Sequence, residues 1–141
     1  MNNWLQSVTF TNWPTVKSKN VWGFSKIKNS HKTKMGDRII FYVQETKNFC
    51  GIFEVISEWH EATISWPDET RPQDGGVEID LKPIQIGFSN FDKIAHTLDF
   101  TEEKKGNALN LTLRNHPTAY ANSGKPLLDK DCEIIMADLK N

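Results

Sequence analysis

The feature that most constrains the fold is a run of five β-branched and aromatic residues, Ile39-Ile40-Phe41-Tyr42-Val43. Such a run predicts a central strand. A second strand is predicted over residues 49–57, and the short connection Glu45-Thr46-Lys47-Asn48 indicates that the two strands pair antiparallel. Gly51 inside the second strand indicates a bulge or a close approach of another group.

The rest of the chain predicts short elements joined by polar connections. Residues 23–34 and 101–126 are polar and predict loops with short or irregular helical turns. Many short strands with few helices favour a curved or barrel-like mixed sheet. The other expected elements are a strand over Trp4–Phe10, a helix from an N-cap at Asn12 to about Lys19, a strand from Val77 to about Ile84, a helix near Phe91–Leu98 capped by Ser89 or Asn90, and a strand or helix beginning near Glu133.

Charge is divided unevenly along the chain, although the net charge of the 141 residues is only −1. Residues 1–44 carry seven bases and one acid, a balance of +6, and residues 45–141 carry ten bases and seventeen acids, a balance of −7. Screening limits each field to roughly 8–10 Å, so the basic part can attract phosphate by itself. From charge alone, an ordinary solvated face remains equally open. The candidate phosphate ligands are Lys26, Lys28, Lys32 and Lys34.

Several classes of protein find no support in the sequence. No stretch approaches the roughly 18 apolar residues of a membrane span, and the start lacks signal-peptide character, so we expect one cytoplasmic domain over residues 1–141. Cys50 and Cys132 sit among apolar residues and predict buried free thiols. The histidines show no metal-ligand spacing, and no acid–base pair or glycine-rich phosphate loop is recognisable. We therefore expect no metal, no cofactor and no enzymatic activity.

Five segments together resemble the EVE domain, which has a PUA-like fold related to the YTH domain. They are Trp4–Phe10, Asn20–Gly23, Lys34–Val43, Gly51–Val55 and Ser65–Pro67. The resemblance implies an α+β fold, a PUA-like mixed β-barrel of about five to six strands flanked by short helices. It also implies a pocket for one nucleobase with a small modification, since EVE domains are associated with modified cytosines in DNA and YTH domains bind N6-methyladenine in RNA.

Carried onto this sequence, the resemblance implies which residues form the base pocket. Trp22 corresponds to one wall and Trp66 to the opposite wall, while the third wall is unnamed. Asn12 lies where related domains place a polar side chain near the base edge, although helix capping also explains it. The backbones of Ser7 and Gly23 would add hydrogen bonds. Without the resemblance, Trp22 is better explained as a buried anchor and Trp66 as a rim residue, and Trp4 and Trp13 are expected to pack in the core.

The sequence thus predicts a binding module whose partner is nucleic acid with a modified base flipped into an aromatic cage. The base is expected to be a modified cytosine in DNA or a methylated base in RNA, and the protein a monomer or weak dimer with no membrane partner. Two alternatives use the same pocket. One is an enzyme that modifies RNA or a nucleotide, and the other is a protein-interaction module.

Overall fold

In the computed structural model of the chain, the described residues are 1–24, 32–62, 67, 76–99, 116–122 and 124–139. The strands among them are β1 (Asn3–Val8), β2 (Val21–Phe24), β3 (Arg38–Val43), β4 (Asn48–Val55), β5 (His60–Glu61) and β6 (Val77–Asn90). The helices are α1 (Trp13–Lys19), α2 (Phe91–Ile94), which continues as a 3₁₀ turn over Ala95–Thr97, α3 (His116–Asn122) and α4 (Asp129–Asp138). None of these helices has the length and apolar character that crossing a bilayer requires.

The strands form one mixed sheet that curves into a half-barrel, in the order β1-β3-β4-β6-β2, with β5 paired to β6. β1 runs parallel to β3, and the other pairs are antiparallel. β3 lies between β1 and β4, so the predicted central strand is confirmed, as is its antiparallel pairing with β4. The expected α+β fold, a barrel-like mixed sheet of five to six strands flanked by short helices, is confirmed.

Two hydrophobic cores cover the two faces of β3, because successive side chains of a strand point to opposite faces. Ile39, Phe41 and Val43 belong to the first core, which also contains Trp13 and Trp22. Ile40 and Tyr42 belong to the second core, which is built with residues of α2 and α4. The unbroken apolar run of β3 is therefore explained by burial on both faces.

Gly51 lies at a β-bulge and at a close approach, and both predictions for this residue are confirmed. The register between β3 and β4 shifts because Phe41 pairs with Gly51 and Tyr42 with Phe49, which leaves Cys50 as the extra residue. A Cβ atom at Gly51 would lie 3.0 Å from the Phe53 ring and 3.1 Å from the Trp13 ring. The absence of a side chain lets these two rings pack over the bulge.

β6 is longer than expected, since it runs to Asn90 rather than ending near Ile84. Pro83 lies inside it, although proline has no N–H to donate to a sheet. The register between β4 and β6 shifts at this point, where Ile52 pairs with Gln85 and Phe53 with Pro83. This irregularity accommodates the proline, so the strand continues beyond the expected end.

Tertiary contacts also decide two other elements. The segment from residue 23 was expected to be a loop, but Gly23 and Phe24 belong to β2, which pairs with the start of β6. The last segment, for which the sequence left strand and helix open, is the helix α4. Cys132, Ile135 and Leu139 are buried at helical spacing in the second core, which explains this outcome.

Asn12 occupies the predicted N-cap position of α1, but its side chain makes no capping hydrogen bond. Instead, the Thr9 carbonyl oxygen accepts hydrogen bonds from the backbone N–H groups of Asn12 and Trp13 at 3.1 and 2.9 Å. Asn90 likewise precedes α2 without a side-chain cap. Both positions were predicted correctly, whereas the predicted capping by the side chains was wrong.

Both cysteines are buried and free, as predicted. Burial raises the pKa of the Cys50 thiol to about 11, against a smaller lowering by Lys17 and a backbone hydrogen bond. Since the thiolate is the reactive form, Cys50 is held in the unreactive thiol form near neutral pH.

We expect Gly51→Ala to destabilise the fold by about 1–3 kcal/mol, because the added methyl group displaces the Trp13 or Phe53 ring. Urea unfolding measures the change. Lys93→Ala, at an exposed position in α2, is the control and should change the free energy of unfolding by no more than about 0.5 kcal/mol. A Gly51→Ala protein as stable as the wild type would contradict the close packing at the bulge.

Candidate nucleic-acid interface

Three aromatic rings pack around Phe41, and one of them is Trp22, a predicted base-binding residue. The Phe41 ring centroid lies 5.4 Å from that of Trp22, 5.9 Å from that of Trp13 and 5.4 Å from that of Phe53. The Trp22 and Phe53 rings meet Phe41 edge-on, at interplanar angles of 66° and 85°. Edge-to-face packing of this kind fixes ring orientation as well as burying apolar area.

Trp22 is supplied by β2, where it pairs with Ile79 of β6. Its side chain is only 1% exposed and belongs to the first core. The structure therefore shows Trp22 as a buried anchor. The opposite predicted wall, Trp66, lies outside the described residues, as do Lys26 and Lys28.

Ser7, Asn12 and Gly23 all lie next to residues of this aromatic region. Ser7 of β1 pairs with Tyr42, the neighbour of Phe41, and its hydroxyl lies 3.2 Å from that of Thr118 in α3. Asn12 is fully buried and directly precedes Trp13. Gly23 follows Trp22 in β2 and is buried. Asn12, Trp22 and Gly23 are thus buried, and Ser7 pairs with a residue of the second core, on the other face of β3 from Phe41.

Glu78 is a buried acidic side chain in this region that the sequence analysis did not single out. It is 1% exposed and lies in register with Gly23 on one side and His60 on the other. The position of Glu78 between Val77 and Ile79 in a predicted strand is the sequence signal that could have identified it. Hydrogen bonds to the Glu61 carbonyl and the Asp80 carboxylate raise the pKa of His60, so this end of β6 concentrates titratable groups.

Lys32 and Lys34 line an open pocket of about 650 Å³, here called the lysine pocket. Its walls come from the start of β1 and from the turn that precedes β3. Trp4 was expected in the core; it packs against the first core and also lines this pocket. The full lining is Met1, Asn2, Trp4, Lys32, Lys34, Met35, Gly36 and Asp37.

Asp37 organises the lysine pocket through three hydrogen bonds. Its Oδ1 accepts from the Asn2 N–H at 2.9 Å, and its Oδ2 accepts from Trp4 Nε1 at 2.9 Å and from the Lys34 N–H at 3.0 Å. Burial raises the pKa of Asp37, but these hydrogen bonds outweigh burial and hold the pKa below its ordinary value. Asp37 was not among the residues that the sequence predicted for a site.

Within the part of the chain that the structure describes, no group of three or more His, Cys, Asp or Glu side chains is arranged to hold a metal ion.

A family model described as the EVE domain matches residues 2–137. The chain belongs to the EVE-domain family. This EVE domain is similar to the UPF0310 protein of Pyrococcus abyssi, with 31% identity over 131 residues, which covers 83% of this chain and 92% of that protein. It is also similar to the UPF0310 protein of Pyrococcus horikoshii, with 32% identity over 121 residues and coverage of 74% and 81%.

The EVE domain shares its fold with YTH domains of known structure. A structure of the Mmi1 YTH domain superposes with a TM-score of 0.63 at 17% identity, covering 97% of this chain and 93% of that one. The YTH domain of a Zygosaccharomyces rouxii protein, solved in complex with N6-methyladenosine RNA, gives a TM-score of 0.57 at 12% identity and covers 75% of each chain. At these identities the likeness establishes the fold.

We expect Asp37→Asn to destabilise the EVE domain by about 1–3 kcal/mol near neutral pH, because an amide accepts the three hydrogen bonds less well than a carboxylate. The folded-state pKa of Asp37 is lowered, so its stabilisation is present above about pH 4 and is lost as the pH falls through the folded-state pKa. The difference between variant and wild type should therefore narrow on acidification.

Urea unfolding from about pH 7 to about pH 2.5 measures this difference. Asp92→Asn, at an exposed carboxylate of α2, is the control. A difference between Asp37→Asn and wild type that stays constant over this range would contradict the stabilisation of the Asp37 carboxylate.

Proposed function

We propose that this EVE domain is a nucleic-acid-binding module that takes a modified base, flipped out of its stack, between Trp22 and Trp66. The base is a modified cytosine in DNA or a methylated base in RNA. The observation that carries the proposal is the packing of Trp22 against Phe41, with 5.4 Å between the ring centroids, and the burial of Asn12 directly before Trp13 of the same cluster. Support also comes from the fold, which is shared with a YTH domain solved in complex with N6-methyladenosine RNA.

The energetics favour a pocket in which aromatic walls supply affinity and polar groups supply selectivity. Stacking a base on an aromatic ring is worth about 1–3 kcal/mol and tolerates every base. A buried methyl group adds on the order of 0.8 kcal/mol, which corresponds to only a few-fold in affinity. Asn12 and the backbones of Ser7 and Gly23 would therefore distinguish the base by hydrogen bonds to its edge.

Trp22 would act as a wall whose orientation is set before the ligand arrives. The edge contact with Phe41 at 5.4 Å and the pairing of β2 with β6 hold the indole in place. Because the side chain is 1% exposed, the base must displace the groups that cover the indole in order to stack on it. A wall that is fixed in the free protein loses little entropy on binding, which offsets part of this displacement.

Phosphate binding is assigned to the basic first part of the chain. Lys32 and Lys34 lie in the lysine pocket, and Lys26 and Lys28 are placed in the same interface on their sequence positions. Contacts from lysine to phosphate release counterions and do not depend on the base. The lysines would hold the strand while the aromatic walls and polar groups identify the base.

We expect Trp66→Ala to lower the affinity for oligonucleotides with the modified base about tenfold or more, because one stacking wall is lost. Trp22→Phe, which keeps an aromatic ring in the core, should produce a smaller loss in the same direction. Fluorescence anisotropy with matched modified and unmodified oligonucleotides measures both affinities. Phe88→Ala removes an exposed aromatic side chain of β6 and is the control. Equal binding of the two oligonucleotides by the wild type would refute modified-base recognition.

We expect Lys32→Ala to weaken the binding of modified and unmodified strands by the same factor. The slope of log affinity against log salt should fall by about 0.7 on a single strand, which corresponds to one lost phosphate contact. Lys93→Ala is the matched control, since it removes an exposed lysine of α2. An unchanged slope for Lys32→Ala would remove this lysine from the phosphate-binding set.

A further inference from the structure

The lysine pocket combines an apolar side with a cationic side. Trp4 and Met35 line it, and the Met35 side chain is 57% exposed. Lys32 and Lys34, which are both exposed, line the same pocket. Within the part of the chain that the structure describes, no carboxylate forms an ion pair with either ammonium. An aromatic ring that carries a phosphate matches this combination, and a nucleotide is such a ligand.

Three backbone hydrogen bonds hold the turn that forms the pocket. The Gly36 N–H donates to the Val55 carbonyl, and the Val55 N–H donates to the Asp37 carbonyl, each at 2.8 Å. The Arg38 N–H donates to the Asn2 carbonyl at 2.9 Å. A pocket that is already formed pays little ordering entropy on binding.

Asp37 is the only acidic residue among the described residues that line the pocket. Among these residues, its carboxylate is hydrogen-bonded to neighbouring groups and not to a lysine ammonium. Both oxygens of Asp37 accept hydrogen bonds from Asn2, Trp4 and the backbone of Lys34, so the ammonium of Lys34 is not needed to balance this carboxylate. The Lys32 ammonium packs against the backbone of Gly124, where an added Cβ would lie 2.7 Å from it.

The pocket also lies within reach of the proposed base site. Trp4 packs against the first core, which contains Trp22. Lys32 belongs to the connection between β2 and β3. Because the proposed base site and the pocket are both built against the first core, one strand of nucleic acid would contact both.

We propose that the lysine pocket binds an unmodified nucleotide adjacent in sequence to the modified one, with its base against Trp4 and Met35 and its phosphate between Lys32 and Lys34. This inference rests on the proposed function. It makes the EVE domain a reader of at least two consecutive nucleotides, in which the second nucleotide adds affinity without reading the modification.

The test uses pentanucleotides with one modified base at the centre, as RNA with N6-methyladenine and as DNA with 5-methylcytosine. In matched probes, the nucleotide on the 5′ side or on the 3′ side of the centre is abasic. We expect one of these replacements to weaken wild-type binding about five- to tenfold, as the loss of one stacked base does.

Two variants assign this effect to the pocket. Met35→Glu places a negative charge on an exposed side chain that the fold does not use, and Lys34→Ala keeps the backbone N–H that Asp37 requires. Met35→Glu should bind the intact and the abasic probe with nearly equal affinity while retaining the preference for the modified base. Lys34→Ala should weaken the binding of both probes by a similar factor, because an abasic nucleotide keeps its phosphate. Phe88→Glu and Lys93→Ala are the matched controls and should keep the full dependence on the neighbouring nucleotide.

The two proposals fail in different ways. If wild-type protein binds the intact and both abasic probes equally, if Met35→Glu keeps the wild-type difference, or if Lys34→Ala binds both probes as tightly as the wild type, the inference about the lysine pocket is overturned. If the wild type shows the neighbour effect equally on modified and unmodified probes but no preference for the modified base, the proposed function fails while a nucleotide in the pocket is still supported. Absence of binding to every probe overturns both.

Discussion

Packing of Phe41 against Trp13, Trp22 and Phe53 is the interaction on which the rest of the half-barrel depends. These rings come from α1, β2, β3 and β4, which are distant in sequence. Deleting a large buried side chain at such a junction typically costs about 3–5 kcal/mol, a large part of the stability of a small domain. The absence of a side chain at Gly51 belongs to the same arrangement, because it leaves room for the Trp13 and Phe53 rings. The proposed base pocket is thus built against this aromatic cluster.

A second constraint is polar and acts at the start of β1 and β3. Asp37 ties Asn2, Trp4 and the Lys34 backbone together, and the parallel pairing of β1 with β3 begins directly beside it. A buried carboxylate is tolerated only when hydrogen bonds replace its lost hydration, and three donors do so here. The same bonds shape the lysine pocket, so stability and the proposed recognition of a second nucleotide depend on one group. Substitutions at Asp37 are therefore unsuited to measuring binding alone.

Local pattern predicted the sheet better than it predicted the ends of its elements. β3 and β4 were predictable because long runs of β-branched and aromatic residues favour strands. The bulge at Gly51 was predictable because a glycine inside a strand often marks a bulge. The continuation of β6 through Pro83 was not, because proline locally disfavours a strand and the register shift that accommodates it lies partly on another strand. The short strand β2 follows from pairing with Ile79 and Glu78, and no local signal at Gly23 indicates this.

By itself, the sequence determined the class of fold, the central strands, the buried thiols and the candidate residues Trp22, Asn12, Lys32 and Lys34. Only the tertiary structure decided how these residues are used. It enclosed Trp22 in the first core, buried Asn12 directly before Trp13, and joined Lys32 and Lys34 to Trp4 and Asp37 in one pocket. The physical reason is that burial and pocket formation arise from contacts between residues far apart in the chain, whereas strand propensity and bulge signals act between neighbours.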